Sequence, residues 1–445
     1  MRVRRLIAIW TAKIISTACR LSGRQGGPLA GKIALKIDPA ILRDLSEQVR
    51  EKIFVVCGTN GKTTTNNLLC AAIESEGKKL VCNHTGSNML QGIAAAFVLA
   101  AGNNGKLDAD YACLEVDEAS TLRIFPHVKP DFMVLTNLFR DQLDRYGEID
   151  MTMDMLKRAM QLVPEMTVLV NGDDVLSSYI AMESGNPYKA YGISEKVFEQ
   201  TDDHEVREGQ FCKKCGAKLE YEFYHYSQIG KYNCPNCDFS RPEISYDASD
   251  IQVATRLEFT VEERRISVNY RGFYNIYNVL AAYSAARSAG LQIPGFEKML
   301  QKFNPQNGRM EQFDIKGTHV VLNLAKNPAG FNQNVSIVMD DPKEKDVIIV
   351  INDNAGDGID VSWLWDVDFD RFAAENIRSI TISGLRRHDM QLRMKYVGIE
   401  TEVTEDVKAA IESRIAEGCK NLYVLVNYTA LFSTRDLLVS MQKTV

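Results

Sequence analysis

The stretch that decides the fold is Val55-Val56-Cys57-Gly58-Thr59-Asn60-Gly61-Lys62-Thr63-Thr64-Thr65. An apolar run over 53–56 enters a tight loop bounded by glycines, and a helix-favouring segment follows over 66–76. Read as G-x-x-G-K-T, the loop is two residues shorter than the phosphate-binding pattern G-x-x-x-x-G-K-[ST], which would need Gly where Val56 stands. The physics survives the shortening. Backbone N–H groups of Thr59 to Thr63, at the N-terminus of a helix, can cradle phosphate oxygens. Lys62 adds a point charge for the outer phosphates of a nucleoside triphosphate, and the Thr63 hydroxyl can reach Mg²⁺. An ordinary Gly-rich strand-to-helix turn is the competing reading. Gly58, Gly61, Lys62 and Thr63 in register after a strand argue against it.

Around this loop the pattern is strand, loop, helix, repeated. Strands are predicted over 53–56, 80–82, 112–116, 132–135 and 167–170, with helices over 66–75, 91–101 and 151–162. Such alternation implies a parallel sheet covered on both faces, with ligands gathered at the carboxyl ends of the strands. Those ends carry polar clusters: Asn83 to Asn88, Glu115 to Glu118, Thr136-Asn137 and Asn171 to Asp174. Glu115 ends the strand that follows the phosphate loop, where a carboxylate can bind Mg²⁺ directly or through water. The alternative is a solvated acidic turn shared with Asp117 and Glu118. His84 reads as structural.

At 445 residues the chain is too long for one core and suggests two or three domains. A net charge of −6 argues against nucleic acid as the partner. The charge is uneven, since residues 1–37 hold eight Lys or Arg and no Asp or Glu. Residues 1–24 look at first like a signal peptide, but Lys13 interrupts the apolar run and no small-residue cleavage site follows. No stretch reaches the roughly 20 apolar residues of a membrane span. At helical spacing Ile7, Trp10, Ile14 and Leu21 share one face, flanked by Lys13, Arg20 and Arg24. That face suits either an interfacial helix drawn to anionic lipid or a helix packed on its own protein.

Ten cysteines divide into two kinds. Six sit singly, mostly in apolar runs, and read as small buried hydrophobes. Cys212-x2-Cys215-x18-Cys234-x2-Cys237 fits a closed, structural four-thiolate zinc site within a charged, aromatic segment over 203–242, with a redox pair as the alternative. No disulfide framework is present, and a triphosphate-binding loop needs a nucleotide. Both point to the cytosol. A hairpin is predicted over 257–261 and 266–268, with its turn at 262–265, followed by a helix opening near Tyr274. Asn307-Gly308-Arg309 looks like a joint to a further domain.

The last third repeats the alternation, with strands over 320–324, 347–351, 379–383 and 422–426 and helices over 370–375, 386–397, 406–416 and 429–441. This is a smaller Rossmann-like domain, but no G-x-G-x-x-G follows its first strand, so dinucleotide binding is not indicated. Asn352 to Asp360 puts Asp353, Asp357 and Asp360 at a strand's carboxyl end, ahead of Trp363 and Trp365. It lacks the ligand pattern of an EF-hand. An Asx-rich turn is one reading, and a surface for partner binding or catalysis is the other. No Cys lies in a G-x-C-x-G elbow, so the chain shows no glutaminase site of its own.

These motifs together resemble the Mur ligase family, and within it the MurT type. Gly58 to Thr64 is similar to the family's G-T-N-G-K-[ST]-T loop, and residues 136–147 to its T-N-x-x-x-D-H-L-D-x-H-G motif. Asn278 falls where the family contacts adenine, and Arg309 where an Arg reaches the ATP phosphates. Two departures stand out: Gln142 replaces a His, and Asn323-Leu324-Ala325-Lys326-Asn327-Pro328 replaces D-Y-A-H-N-P. The resemblance implies an α/β fold: a Mur-ligase-like parallel-sheet central domain over 46–308 with a zinc-ribbon insertion over 203–242. A basic N-terminal helical segment over 1–45 precedes it, and a Rossmann-like domain over 309–445 follows.

It implies ATP-dependent amidation of the α-carboxyl of D-glutamate in the lipid II stem peptide through an acyl phosphate, with ammonia from a GatD-type glutaminase in a heterodimer. An amino-acid-adding Mur or folylpolyglutamate-type ligase is the alternative. Implied roles are catalysis by Lys62, Glu115 and Asp360, with Asp360 completing the partner's Cys-His site. ATP is expected on Gly58, Thr59, Asn60, Gly61, Lys62, Thr63, Thr64, Asn278 and Arg309, Mg²⁺ on Thr63 and Glu115, and structural Zn²⁺ on Cys212, Cys215, Cys234 and Cys237. The expected location is the cytoplasm, with association at the inner face of the membrane, where lipid II lies.

Overall fold

The computed structural model describes residues 2–22, 26–83, 87–141, 148–199, 207–253, 256–303 and 308–443. Its larger sheet is built from β1 (Lys52–Cys57), β2 (Leu80–Cys82), β3 (Tyr111–Glu115), β4 (Phe132–Leu135), β5 (Thr167–Asn171) and β6 (Tyr188–Ile193). After an insertion carrying β7 (Glu220–Tyr226) and β8 (Ile229–Asn233), it continues with β9 (Ile244–Val253), β10 (Leu257–Val261) and β11 (Arg264–Val268). The order is β11-β10-β9-β6-β5-β4-β1-β3-β2. Pairing is parallel from β2 to β9 and antiparallel over the last two steps.

Along β1 the side chains alternate between two cores, as the pleat requires. Val55 and Cys57 join a core with the Leu90–Ala100 and Ile149–Gln161 helices, and Phe54 and Val56 join one with the Lys62–Ser75 and Tyr274–Ser288 helices. Burial on both faces is why the strand reads as one apolar run. β1 lies between β3 and β4, so its loop emerges where chain connections depart to either side. Parallel sheets gather ligands at such a crevice.

The described residues before β1 include helices Arg2–Leu21, Gly27–Ile37 and Ile41–Ser46, which share the core of the large sheet through Ala8, Ile9, Ala12, Ala30, Ala34, Ile41 and Leu45. The packed face of the first helix is not the one its large apolar residues mark. Ile7, Trp10, Ile14 and Leu21 stay exposed, because Ala8, Ala12 and Ser16 are small enough for close approach to the neighbouring helix. Among the described residues, no helix is long and apolar enough to cross a membrane.

The smaller sheet comprises β12 (Glu311–Ile315), β13 (Thr318–Leu324), β14 (Lys345–Val350), β15 (Ile377–Ser383), β16 (Glu402–Val403) and β17 (Asn421–Val426), in the order β12-β13-β17-β14-β15-β16. Only β12 pairs antiparallel. Three local expectations change. The hairpin turn tightens to Glu262-Glu263, both with positive φ (46° and 65°), as a two-residue primed turn demands. The helix expected over 370–375 is a 3₁₀ turn, Phe369–Phe372, which sinks both phenylalanines into the core. The Pro328–Met339 helix was hidden by its Asn, Gln and Ser content.

Candidate active site

Gly58 and Gly61 have φ of +118° and +83°, in the left-handed region that disfavours any residue with a Cβ. Space forbids one as well. A Cβ on Gly58 would stand 2.4 Å from Thr136 Oγ1, and one on Gly61 would stand 2.2 Å from Asn278 Oδ1. The loop is pinned from β4. Asn60 N–H donates to Asn137 Oδ1 (2.9 Å), Thr136 Oγ1 donates to Asn60 O (2.7 Å), and Thr59 N–H donates to Asn137 O (2.8 Å). The T-N pair at the end of β4 therefore shapes the phosphate loop.

Parallel register sets Glu115 opposite Val56, one residue short of Cys57 and the loop. Asn83, at the end of β2, clamps the Glu115 backbone from both sides (2.9 and 2.8 Å), and Asn88 Nδ2 donates to Glu115 Oε1 at 3.2 Å. The neighbouring acids do different work. The Asp117 carboxylate accepts from Ala119 N–H and caps a 3₁₀ turn. Glu118 accepts from Lys62 Nζ at 2.9 Å, while Lys62 also donates to Gly58 O and Thr59 O. Burial opposes the Lys62 ammonium, yet Glu118, Asp117 and Glu115 around it outweigh burial and hold its pKa above the ordinary value. Burial raises Glu118 against the pull of Lys62.

Thr63 Oγ1 accepts from Arg309 Nη2 at 3.0 Å, and burial lowers the Arg309 pKa despite the Glu115 carboxylate. Asn278, on the Tyr274–Ser288 helix, lies against Gly61 and accepts from Thr65 Oγ1 at 3.4 Å. The C-terminal domain closes on this group. Asn60 and Asn327 exchange amide hydrogen bonds (3.0 and 3.3 Å), Lys326 pairs with Asp141, and Arg140 pairs with Asp366. Asn327 also caps the Pro328–Met339 helix by accepting from Gly330 N–H at 2.8 Å, with Pro328 at its first position. That explains the N-P pair locally and aims Lys326 at the cleft.

The resulting cleft has a volume of about 850 Å³ and is lined by residues of all three segments, including Pro28, Lys62, Glu115, Arg309, Lys326 and Tyr428. It unites Thr59, Asn60, Gly61, Lys62, Thr63, Thr64, Glu115, Asn278 and Arg309, while Gly58 shapes the loop from beneath. Residues 142–147, His84 and Asn307 lie outside the described residues. Sequence reasoning did not give Glu118, Asn83 or Asn88 their roles. The polar strand ends were the signal, but partners across strands are set by register.

Asp360 does not line the cleft. The three carboxylates of its loop divide cleanly. Asp353 pairs with Arg386 at 2.8 Å, and Asp357 is buried, accepting from Thr429 N–H at 2.8 Å and from the Thr429 hydroxyl. Asp360 is partly exposed; the Ser362 N–H at 2.8 Å lowers its pKa. The thiols of Cys212, Cys215, Cys234 and Cys237 lie within 4.8 Å of one another, with Cys212–Cys237 at 3.6 Å and Cys215–Cys234 at 3.5 Å. Tetrahedral zinc–thiolate bonds of about 2.3 Å need sulfurs roughly 3.8 Å apart, so the donor set fits zinc.

Residues 56–240 match the Mur ligase middle domain and residues 324–431 the MurT ligase C-terminal domain. The chain is 36% identical, over 96% of each protein, to the lipid II isoglutaminyl synthase (glutamine-hydrolyzing) subunit MurT of Staphylococcus aureus strain COL. The chain belongs to the MurT family. The family's subunit from Streptococcus pneumoniae strain ATCC BAA-255 / R6 is 35% identical over 94% of this chain and 93% of that protein. The Mur-ligase fold of this MurT-family chain is also that of a pseudomurein peptide ligase type C from Methanothermus fervidus (TM-score 0.69, 20% identity, 89% of this chain and 80% of that chain). Both relatives are thus named as the MurT subunit of a glutamine-hydrolyzing lipid II isoglutaminyl synthase.

Proposed function

We propose that this chain amidates the α-carboxyl of D-glutamate in the stem peptide of lipid II, using ATP, to give D-isoglutamine. The supporting observation is the convergence of Lys62, Thr63, Glu115 and Arg309 in one cleft of a chain similar to MurT subunits along almost its whole length. Lys62 and Arg309 balance the charge of the outer phosphates, and the Thr59 to Thr64 backbone orients them. Asn278 takes the adenine. Thr63 and Glu115 are suited to hold Mg²⁺, which when bound neutralises phosphate oxygens.

The substrate carboxylate attacks the γ-phosphorus, the bridging P–O bond to the β-phosphate breaks, and ADP leaves. The lone pair of ammonia then attacks the acyl carbon, phosphate departs and the nitrogen loses a proton. Positioning and charge balance supply most of the acceleration. Lys326, which lines the cleft and is paired with Asp141, adds a further cation for the phosphate leaving group. Lys62→Ala or Glu115→Ala is expected to abolish ATP-dependent amidation while the chain stays folded. Undiminished turnover in either variant overturns the assignment.

Ammonia comes from a GatD-type glutaminase bound to the C-terminal domain. In support, Ile359, next to Asp360 in the chain, is exposed, as are Trp365, Leu385, Leu392 and Tyr396 of the same domain, and Trp365 packs edge-on against Tyr396 at 5.1 Å. Exposed aromatic and aliphatic anchors of this kind mark protein interfaces. Asp360 is the carboxylate of its loop left available to orient a partner's histidine. The four thiolates hold a structural zinc that stabilises the insertion. The reaction takes place at the cytoplasmic face of the membrane.

A further inference from the structure

The Arg2–Leu21 helix is apolar on two opposite faces. One is consumed by the core through Ala8, Ile9, Ala12 and Ser16. The other leaves Val3 at 71%, Ile7 at 51%, Trp10 at 53%, Ile14 at 69% and Leu21 at 85% of their surface in solvent. At 100° per residue these five fall within one stripe opposite the buried face, with Lys13 and Arg20 along one flank and Arg4 along the other. The helix is not loosely tethered. Trp10 Nε1 donates to Asn103 O at 3.1 Å, and Lys13 Nζ donates to Ala101 O at 2.5 Å and Asn103 Oδ1 at 3.2 Å. The indole is thus held by its N–H on the protein with about half of its surface in solvent, and Trp is a residue enriched at membrane interfaces.

We propose that this stripe docks the protein flat on an anionic bilayer. Charge complementarity selects that occupant: residues 1–37 carry eight basic side chains and no acidic one, in a chain of net charge −6. The following helix, Gly27–Ile37, adds exposed Leu29, Lys32 and Lys36 beside Pro28, which lines the active-site cleft. Met89, 44% exposed, lines the same cleft. The helix that follows the docking helix therefore also contributes to the cleft. An interfacial helix binds by apolar burial together with attraction of basic residues to anionic headgroups. A rigidly held stripe pays no folding cost on contact. The proposal deepens the lipid II reading, which supplies the reason for docking, but the surface is tested without turnover.

The experiment is co-sedimentation of the full chain with vesicles of phosphatidylglycerol and phosphatidylcholine in equal parts, and with phosphatidylcholine alone. Binding is expected with the anionic vesicles, weakening as salt rises, and roughly tenfold weaker with neutral ones. Ile7→Glu with Ile14→Glu is expected to weaken binding at least tenfold at unchanged melting temperature, and Arg4→Gln with Arg20→Gln by a smaller factor. If the glutamates unfold the chain, Ile7→Asn with Ile14→Asn gives the same readout. No sedimentation, or sedimentation that the substitutions leave intact, overturns the proposal. So does a dimer in solution that the same substitutions dissociate, since a second copy would then be the occupant.

Discussion

Lys62 Nζ sits 2.9 Å from Glu118 Oε1, and both side chains are more than nine-tenths buried. The cation assigned to the phosphates is therefore already partnered by a carboxylate within the protein. Lys62→Ala leaves Glu118 buried and uncompensated, at a cost of about 3 kcal/mol. Burial raises the Glu118 pKa in the folded chain, so the native state binds more protons than the unfolded one between the two pKa values. Stability then falls as pH rises through that window. The Lys62→Ala deficit is expected to be largest at neutral pH and to shrink toward acid. Adding Glu118→Gln should restore most of it without restoring activity, as urea unfolding of the double-mutant cycle would report.

Gly61→Ala tests the loop geometry. The new methyl would be driven against Asn278 Oδ1 at a φ of +83°. A left-handed residue costs about 1–2 kcal/mol, and displacing Asn278 would disturb the adenine contact proposed for it as well. Calorimetric ATP affinity is expected to fall at least tenfold for a loss of about 1.4 kcal/mol. Asn278→Ala should lower it too, without the left-handed backbone strain.

Chelation probes the insertion. Residues 207–242 have a small core of their own, Cys212, Leu219, Tyr232, Cys234 and Phe239, joined to the body by Val175. Phe239 meets Tyr179 edge-on at 5.9 Å. A core this small would leave a bound zinc to provide much of the local stability. One zinc per chain is expected by elemental analysis, and its removal should raise amide exchange across β7 and β8. The disturbance should reach the Tyr274–Ser288 helix, because His225 on β7 bonds the Tyr277 hydroxyl at 2.7 Å.

Much of this arrangement could be read in the chain before its structure. The loop over 58–64, the helix behind it and the four cysteines are local patterns, whose spacing carries their meaning. The parallel strands were legible wherever both faces are buried, as in β1, β3, β14 and β17. β6 was not, because its first two residues are exposed, and β12 alternates polar with apolar. Partnerships made by register or domain closure were out of reach: Glu118 to Lys62, Asn83 to Glu115, Asn60 to Asn327. The first helix kept two readings for another reason. Both of its faces are apolar, and periodicity cannot say which one packs.

Asp360 separates the two nitrogen sources. Its carboxylate is partly exposed, held by Ser362 N–H, and absent from the cleft. Asp360→Ala is expected to remove glutamine-supported activity of the complex and to spare ammonia-supported activity. Arg386→Ala, which frees Asp353, should leave both within a fewfold, as expected of a half-buried pair that holds the loop without touching the partner's site. Equal loss with both donors on Asp360→Ala would reject its role in the partner's site.

The most direct test of the amidation reading is the mass of the product formed from lipid II with ATP and glutamine by the chain together with its glutaminase partner. The expected shift is the exchange of one hydroxyl for one amino group, dependent on Lys62 and reproduced by ammonia without the partner. A gain of a whole amino-acid residue, or the same exchange in Lys62→Ala, would contradict it.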